Sequence, residues 1–368
     1  MSAPVPEPAA APGAALAALL DALRPALQAA GHAGPLELEP LPDKGLAHHH
    51  VRLVGRGLLA RVPKQSQMGL APDANLRYQA ACFERASASG HAPRLRGLIA
   101  PTAPGTPLER GALLVEEIAG APAPLPAALP ALVDALAAIH RLPLPEPRDR
   151  APLLDEPDAL AALAREIDAQ AAHLDAAALP ADARARIERV RARWRRLVAA
   201  PARPPRRLIT FDAHPGNFLV TATGRAFIVD LEKARYSHPP LDLAHATLYT
   251  STTWDVDSRA VLTRDEVRAA CERWLAATGD PATWRPWIVP MREAMWLWAV
   301  TWCAKWRALS AAAPQEAAAG EDWSAARSAE ALVAHVRGRV DDYLSRDGIA
   351  FVVDECAALA RHFGPEPA

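Results

Sequence analysis

Apolar and polar positions change period along the chain, and the changes mark its elements. Leu16, Leu19, Leu20, Leu23 and Leu27 recur at helical spacing through "AALAALLDALRPALQAA", which predicts a leading helix. From about residue 35 to 66 the pattern turns short and alternating. "LELEPL", "HHHVRLV" and "GLLARVP" read as strands joined by turns. "APDANLRYQAACFERASASG" returns to helix and is closed by Gly90. "ALLVEEIAG" predicts one further strand ending at Gly120. Beyond it nearly every segment has helical period: "LPALVDALAAIHRL", "DALAALAREIDAQAAHL" and "ADARARIERVRARWRRLVAA". Residues 208–230 interrupt that run, with "RLITF", "NFLVT" and "AFIVD" predicted as three short strands. Helices resume from about 241, and no internal repeat is visible. The pattern predicts a strand-rich part, a connecting strand, and a large helical part with a little sheet inserted.

Composition narrows the class. A chain of 368 residues has room for two domains or lobes. The 41 basic and 42 acidic side chains nearly cancel, which argues against a nucleic-acid partner and against a membrane surface. No apolar run is long enough to span a bilayer. Cys82, Cys271, Cys303 and Cys356 form no CxxC pair, so a reducing compartment is expected and a structural zinc site is not. Residues 1–13 are rich in Ala and Pro, predict disorder, and make a poor signal peptide because Glu7 stands where a basic region belongs. The expected location is the cytoplasm.

The candidate chemistry gathers in "LITFDAHPGNFLV", residues 208–220. Asp212 and Asn217 are five apart, and Asp230 follows Asn217 by thirteen, at the end of "AFIVD". Phosphoryl transfer asks for a carboxylate to orient and accept the proton of an attacking hydroxyl, and for hard oxygen ligands to Mg²⁺. This ion is content with one or two carboxylates beside phosphate oxygens and water. An Asp and an Asn on one tight loop, with an Asp at a neighbouring strand end, supply such groups. A hairpin with an Asp–Asn turn is the plainer alternative.

The run "FDAHPGNFLV…GRAFIVDLEKARYSHPPLDLAHAT" resembles the aminoglycoside phosphotransferase and choline kinase family, the small-molecule branch of the protein-kinase-like fold. The family form is His-x-Asp-x-His-x-x-Asn, then a strand ending Ile-Asp-Phe/Trp, then Asp-Leu-Ala. The resemblance implies Asp212 as catalytic base, with Asn217 and Asp230 as Mg²⁺ ligands. It places Asp242 beneath the loop as its support. Thr210 replaces the family's first His. His214 is expected to brace the loop by a hydrogen bond. Glu232 resembles the Ile-Asp-x-Glu of choline and methylthioribose kinases, as an added metal ligand or a turn residue facing solvent. The implied fold class is α+β: a two-lobed, protein-kinase-like fold with a small antiparallel sheet and a larger helical lobe. Residues 1–34 would be tail and leading helix, 35–118 the N-lobe and 119–368 the C-lobe.

The resemblance extends to about residue 40. "LPDKGLAHHHVRLVGRGLLARVPK" is similar to the family's opening hairpin, with a loose phosphate loop around Gly45. Arg61 would contact the α- and β-phosphates, with Lys64, after Pro63, as the other candidate. The family's helix acid falls on Gln79, and the nearest carboxylate is Glu84. Five residues apart, these two point roughly 140° away from each other, and either could partner Arg61. Backbone groups of Glu116, Glu117 and Ile118 would meet the base of ATP or GTP. His140 is expected to cap or pack its helix end.

Clues to the acceptor are aromatic. Trp298, Trp302 and Trp306 fall at i, i+4 and i+8 of "REAMWLWAVTWCAKWRALS". Such a face either holds a quaternary ammonium, at about 0.5 to 2 kcal/mol per contact, or packs in the core. Trp254 lies beside Asp255 and Asp257, acids that would meet a cationic acceptor or cap a helix. His48, His49 and His50 alternate across a strand and cannot converge on one metal ion. The reading is an ATP- or GTP-dependent, Mg²⁺-requiring phosphotransferase acting on a small hydroxyl compound. An amino alcohol, a choline-like amine, an aminoglycoside and a sugar are all open. A nucleotide-binding relative without activity is the alternative.

Overall fold

The computed structural model describes residues 12–42, 47–311 and 330–364. The N-terminal tail up to residue 11 and the loop around Gly45 lie outside them. Contacts divide the chain into two compact units, Met1–Ala80 with Arg94–Glu117, and Ala81–Pro93 with Ile118–Ala368.

The first unit is a sheet with helices. After α1 (Pro12–Ala29) come β1 (Leu38–Pro40), β2 (His48–Leu53) and β3 (Leu58–Pro63). They are followed by α2 (Pro72–Ser87), β4 (Leu95–Ile99) and β5 (Ala112–Glu116). The five strands are antiparallel neighbours in the order β1-β2-β3-β5-β4. The α1 leucines Leu19, Leu23 and Leu27 bury against Val51, Leu53, Ala60 and Val62. Helical and strand periods therefore meet in one core. The sequence pattern does not single out β4. It carries Gly97 and Arg96 in "LRGLI", and a register shift between Leu95 and Gly97 marks a bulge.

The second unit begins with the last turns of α2. It continues through β6 (Gly120–Pro122), α3 (Leu129–His140), α4 (Ala159–Ala171), α5 (Ala181–Ala199), β7 (Arg207–Ile209), β8 (Phe218–Thr221), β9 (Ala226–Ile228) and β10 (Arg235–Ser237). Helices α6 (Pro240–Thr247), α7 (Tyr249–Thr252), α8 (Arg264–Thr278), α9 (Pro281–Trp284), α10 (Ile288–Ala311), α11 (Glu330–Tyr343) and α12 (Arg346–Phe363) complete it. "ALLVEEIAG" is not one strand. It breaks after Glu116, and Gly120 opens β6, which pairs with β8. The strands of residues 207–228 also divide. β8 and β9 form a hairpin, whereas β7 pairs with β10. The segment between β7 and β8 is therefore suspended between two small sheets, and it contains Asp212.

Ten arginines lie between residues 184 and 207, but this run is largely paired. Asp168 bonds Arg191 and Arg195, Asp158 bonds Arg203, and Asp155 bonds Arg206. Most of this basic run is thus matched by carboxylates.

Candidate active site

The loop after β7 is held from below by one carboxylate. Asp242, on α6, is fully buried. Its Oδ2 accepts from the Thr210 backbone N–H at 2.7 Å and the Thr210 hydroxyl at 3.0 Å, and its Oδ1 accepts from the Phe211 N–H at 2.8 Å. His140, at the end of α3, brings Nε2 to 3.1 Å from the same Oδ2. The Trp274 Nε1–H donates to His140 Nδ1 at 3.0 Å. An indole nitrogen only donates, so His140 Nδ1 is the acceptor and Nε2 carries the hydrogen given to Asp242. The expected capping or packing role of His140 is thus replaced by a bond to the loop's support.

Phe211 sits at φ +58°, a left-handed conformation that a bulky side chain rarely adopts. Such strain costs about 1 to 3 kcal/mol and persists where the surroundings over-determine it. Here the N–H is bound to Asp242, the Arg235 guanidinium lies 3.8 Å from the ring centroid, and Trp298 packs edge-on at 5.5 Å. The strained residue directly precedes Asp212.

Asp212 is half-buried. Lys233 Nζ donates to its Oδ2 at 3.0 Å, and His245 Nδ1 is 4.0 Å from its Oδ1. Burial opposes the carboxylate's charge. Lys233, His214 and His245 together outweigh that penalty and hold the carboxyl far below its ordinary range. The Asn217 side-chain N–H donates to the Asp212 carbonyl at 2.8 Å, which leaves the amide Oδ1 as the atom able to face a ligand. The Asn217 carbonyl accepts from the Val229 N–H at 2.9 Å. This bond and the β8–β9 hairpin bring Asn217 beside half-buried Asp230.

Glu232 is 5% exposed, so it is not a solvent-facing turn residue. Asn217, Asp230 and Glu232 offer only hard oxygen donors, the chemistry Mg²⁺ prefers. Among the described residues no three His, Cys, Asp or Glu side chains converge to hold an ion by themselves. His214 does not brace the loop through its ring, whose Nδ1 is buried without a hydrogen-bond partner. Its carbonyl does so, accepting from the Asn217 N–H at 2.9 Å. A Cβ at Gly216 would stand 2.7 Å from the Asp255 side chain and force it to shift. The Asp255 carboxylate accepts from the N–H groups of Asp257 and Ser258 and shapes the turn beside the loop.

In the first unit Arg61 is buried on β3, opposite His50 and Leu113. Lys64 is half-buried, one residue past the strand. The Gln79 Oε1 lies 3.0 Å from His48 Nε2, and both residues are buried. Glu84 is exposed and groups with the second unit. The N–H of Glu116 is bound to the Arg94 carbonyl and that of Glu117 to the Gly57 carbonyl. Both N–H groups are therefore engaged within the first unit.

Trp298, Trp302 and Trp306 of α10 all belong to or pack against one core. Trp306 is core, 4% exposed. Trp298 is half-buried and donates to Glu166 Oε1 at 2.7 Å. Trp302 packs edge-on against Trp254 at 5.9 Å, and Trp254 in turn neighbours Tyr343 and His335. Two groups beside Asp212 escaped the sequence reading. Lys233 stands three residues after Asp230, and His245 three after Asp242. Only their spacing from those motif residues could have flagged them.

The model of the Phosphotransferase enzyme family (APH) matches residues 37–287. A choline/ethanolamine kinase family protein from Mesorhizobium loti is 20% identical, with 92% of this chain and 99% of that chain covered, at a TM-score of 0.53. A putative aminoglycoside phosphotransferase from Ralstonia eutropha is 13% identical, with 91% and 98% covered, at 0.57. The GDP complex of an aminoglycoside 2'-phosphotransferase-IIIa F108L mutant is 16% identical, with 94% and 99% covered, at 0.53. Similarity at this level shows the α+β, protein-kinase-like fold. No curated protein matches the sequence significantly. Among the described residues no helix is long and apolar enough to cross a membrane.

Proposed function

Because this chain belongs to the phosphotransferase enzyme family, we propose that it moves the γ-phosphoryl group of ATP or GTP to a hydroxyl of a small molecule, with Asp212 as the base. The observation that carries this reading is the way the Asp212 loop is held. Asp242 binds the two preceding N–H groups, and Asn217 binds the Asp212 carbonyl itself. A carboxylate fixed in this way can orient a hydroxyl and take its proton, and positioning is most of what phosphoryl transfer asks of a protein.

Asn217 and Asp230 would hold Mg²⁺, with Glu232 as a third oxygen donor. Bound there, the ion would neutralise charge on the phosphate oxygens. Arg61 would meet the α- and β-phosphates, and backbone groups of Glu116, Glu117 and Ile118 the base. GDP is bound by one protein of similar fold, so both nucleotides belong in the test. The acceptor is an amino alcohol or choline-like compound, an aminoglycoside or a sugar. A kinase works where nucleoside triphosphate is abundant, and four free buried cysteines agree with a reducing cytoplasm.

Thermal unfolding with ATP or GTP, with and without Mg²⁺, tests the reading on wild type and Asp230→Ala. A ligand at a hundredfold excess over its Kd adds about 2.7 kcal/mol of stability. A Mg²⁺-dependent shift lost in Asp230→Ala is expected, and well-folded wild type that shifts with neither nucleotide refutes it.

A further inference from the structure

Two buried ring nitrogens near the candidate base have no hydrogen-bond partner, His214 Nδ1 and His245 Nδ1, and the second of them faces the Asp212 carboxylate. His245 is 8% exposed, and its Nδ1 makes no hydrogen bond. Buried polar atoms are nearly always bonded, so such an exception calls for a reason. The atom faces Asp212 Oδ1 across 4.0 Å, too far for a direct bond. His245 stands three residues after Asp242, one turn along the same face of α6. One helix therefore pins Thr210 and Phe211 through Asp242 and faces the next residue, Asp212, through His245.

We propose that His245 binds the acceptor hydroxyl, whose oxygen sits between His245 Nδ1 and Asp212 Oδ1. This rests on the reading of Asp212 given above. An oxygen about 2.8 Å from each atom, an ordinary hydrogen-bond length, spans the 4.0 Å gap. The neighbouring carboxylate favours the tautomer with hydrogen on Nδ1, and burial keeps the ring neutral, pushing its pKa down to about 4. His245 then donates to the hydroxyl oxygen while that hydroxyl donates to Asp212. The remaining lone pair is left for the γ-phosphorus.

As the new oxygen–phosphorus bond forms, the bond from γ-phosphorus to the β,γ-bridging oxygen breaks. The nucleoside diphosphate leaves, the hydroxyl proton passes to Asp212, and His245 keeps its own proton throughout. The seat needs an atom that both accepts and donates. It therefore takes a neutral alcohol and excludes an ammonium group, even on a molecule that carries both.

Hydrolysis of Mg²⁺·ATP or Mg²⁺·GTP, with water in place of the acceptor, tests this without knowing the acceptor. Wild type, Asp212→Asn and His245→Asn, →Gln and →Leu are compared for kcat, nucleotide KM and Tm. The amide nitrogen of Asn stands where Nδ1 does, and that of Gln does not. His245→Gln and His245→Leu should lower kcat about 10- to 100-fold at unchanged nucleotide KM, with His245→Asn recovering to within about threefold, as expected for lost positioning. His245→Leu hydrolysing like wild type, or Asn and Gln losing equal amounts at matched Tm, overturns the proposal. If those results accompany an inactive Asp212→Asn, only the role of His245 fails. If wild type binds no Mg²⁺·nucleotide, or Asp212→Asn hydrolyses normally, the kinase reading fails and this inference with it.

Discussion

His140 enters the loop region from α3 and His245 from α6, and both are at least nine-tenths buried. His140 has both ring nitrogens engaged, one by Trp274 and one by Asp242. His245 has a buried nitrogen that meets nothing within bonding distance. The first belongs to a closed network, in which every donor has an acceptor and the geometry is fixed. The second carries the cost of an unmade bond, and a fold tolerates that where a ligand completes it. A saturated side is suited to holding the loop and an unsaturated side to using it. Substitutions on the first should therefore register as stability, and on the second as rate.

The largest effect should come from the centre of the saturated side. Asp242→Ala removes the acceptor of Thr210 N–H, Thr210 hydroxyl, Phe211 N–H and His140 at once. Stranding these buried donors, at about 1 to 3 kcal/mol each, costs at least about 3 kcal/mol in sum. It also frees Phe211 from the bond that holds its positive φ. Urea unfolding should show a loss of that size with an unchanged m value, and nucleotide hydrolysis should fall with it. A loss below about 1 kcal/mol, the scale of a single ordinary hydrogen bond, would mean the network is not what pins the loop.

Legibility from the sequence followed distance along the chain. Asp212, Asn217 and Asp230 lie within nineteen positions, and the fold brings Asn217 close to both acids through one hairpin. Local spacing was enough there. His140 and Asp242 are 102 residues apart, and nothing in "AAIHRL" indicates that the imidazole points away from its helix end toward a loop. Thr210, read as a departure from the family's His, keeps a donor to Asp242 while His140 supplies an imidazole at the same oxygen. The regular spacing of Trp298, Trp302 and Trp306 suggested a shared face. Helical spacing fixes direction but not the partners, and the three meet different neighbours. β4 escaped because Gly97 interrupts its pattern at a bulge. The β7–β10 pairing escaped because strands of three residues carry too little pattern to choose a partner.

Acid should separate the two sides next. Burial lowers the His245 pKa from 6.5 to about 4. The folded state therefore resists a proton that the unfolded chain accepts. The stability from this group is whole above pH 6.5 and is lost as pH falls toward 4, by roughly 3 kcal/mol at most. His238, also lowered to about 4 by burial, adds a loss of the same sign. Unfolding free energy between pH 7 and pH 4 should fall in wild type and less steeply in His245→Asn, which cannot titrate. Equal slopes would place His245 in contact with water rather than in a dry seat.

The smallest effect isolates one arm of the saturated network. Thr210 is 1% exposed, and its hydroxyl is one of three donors converging on Asp242 Oδ2. Thr210→Val keeps the β-branched shape and the backbone N–H and removes only that hydroxyl. Asp242 retains its other partners, so no buried group is stranded and the cost stays near one ordinary hydrogen bond, about 1 kcal/mol. The Phe211 N–H still holds the loop, so hydrolysis should change less than stability does. His245→Gln should do the reverse, slowing hydrolysis with little change in unfolding free energy. If Thr210→Val instead lost rate while keeping stability, the saturated side would be tuning Asp212 rather than holding it. The division between the two histidines would then be drawn in the wrong place.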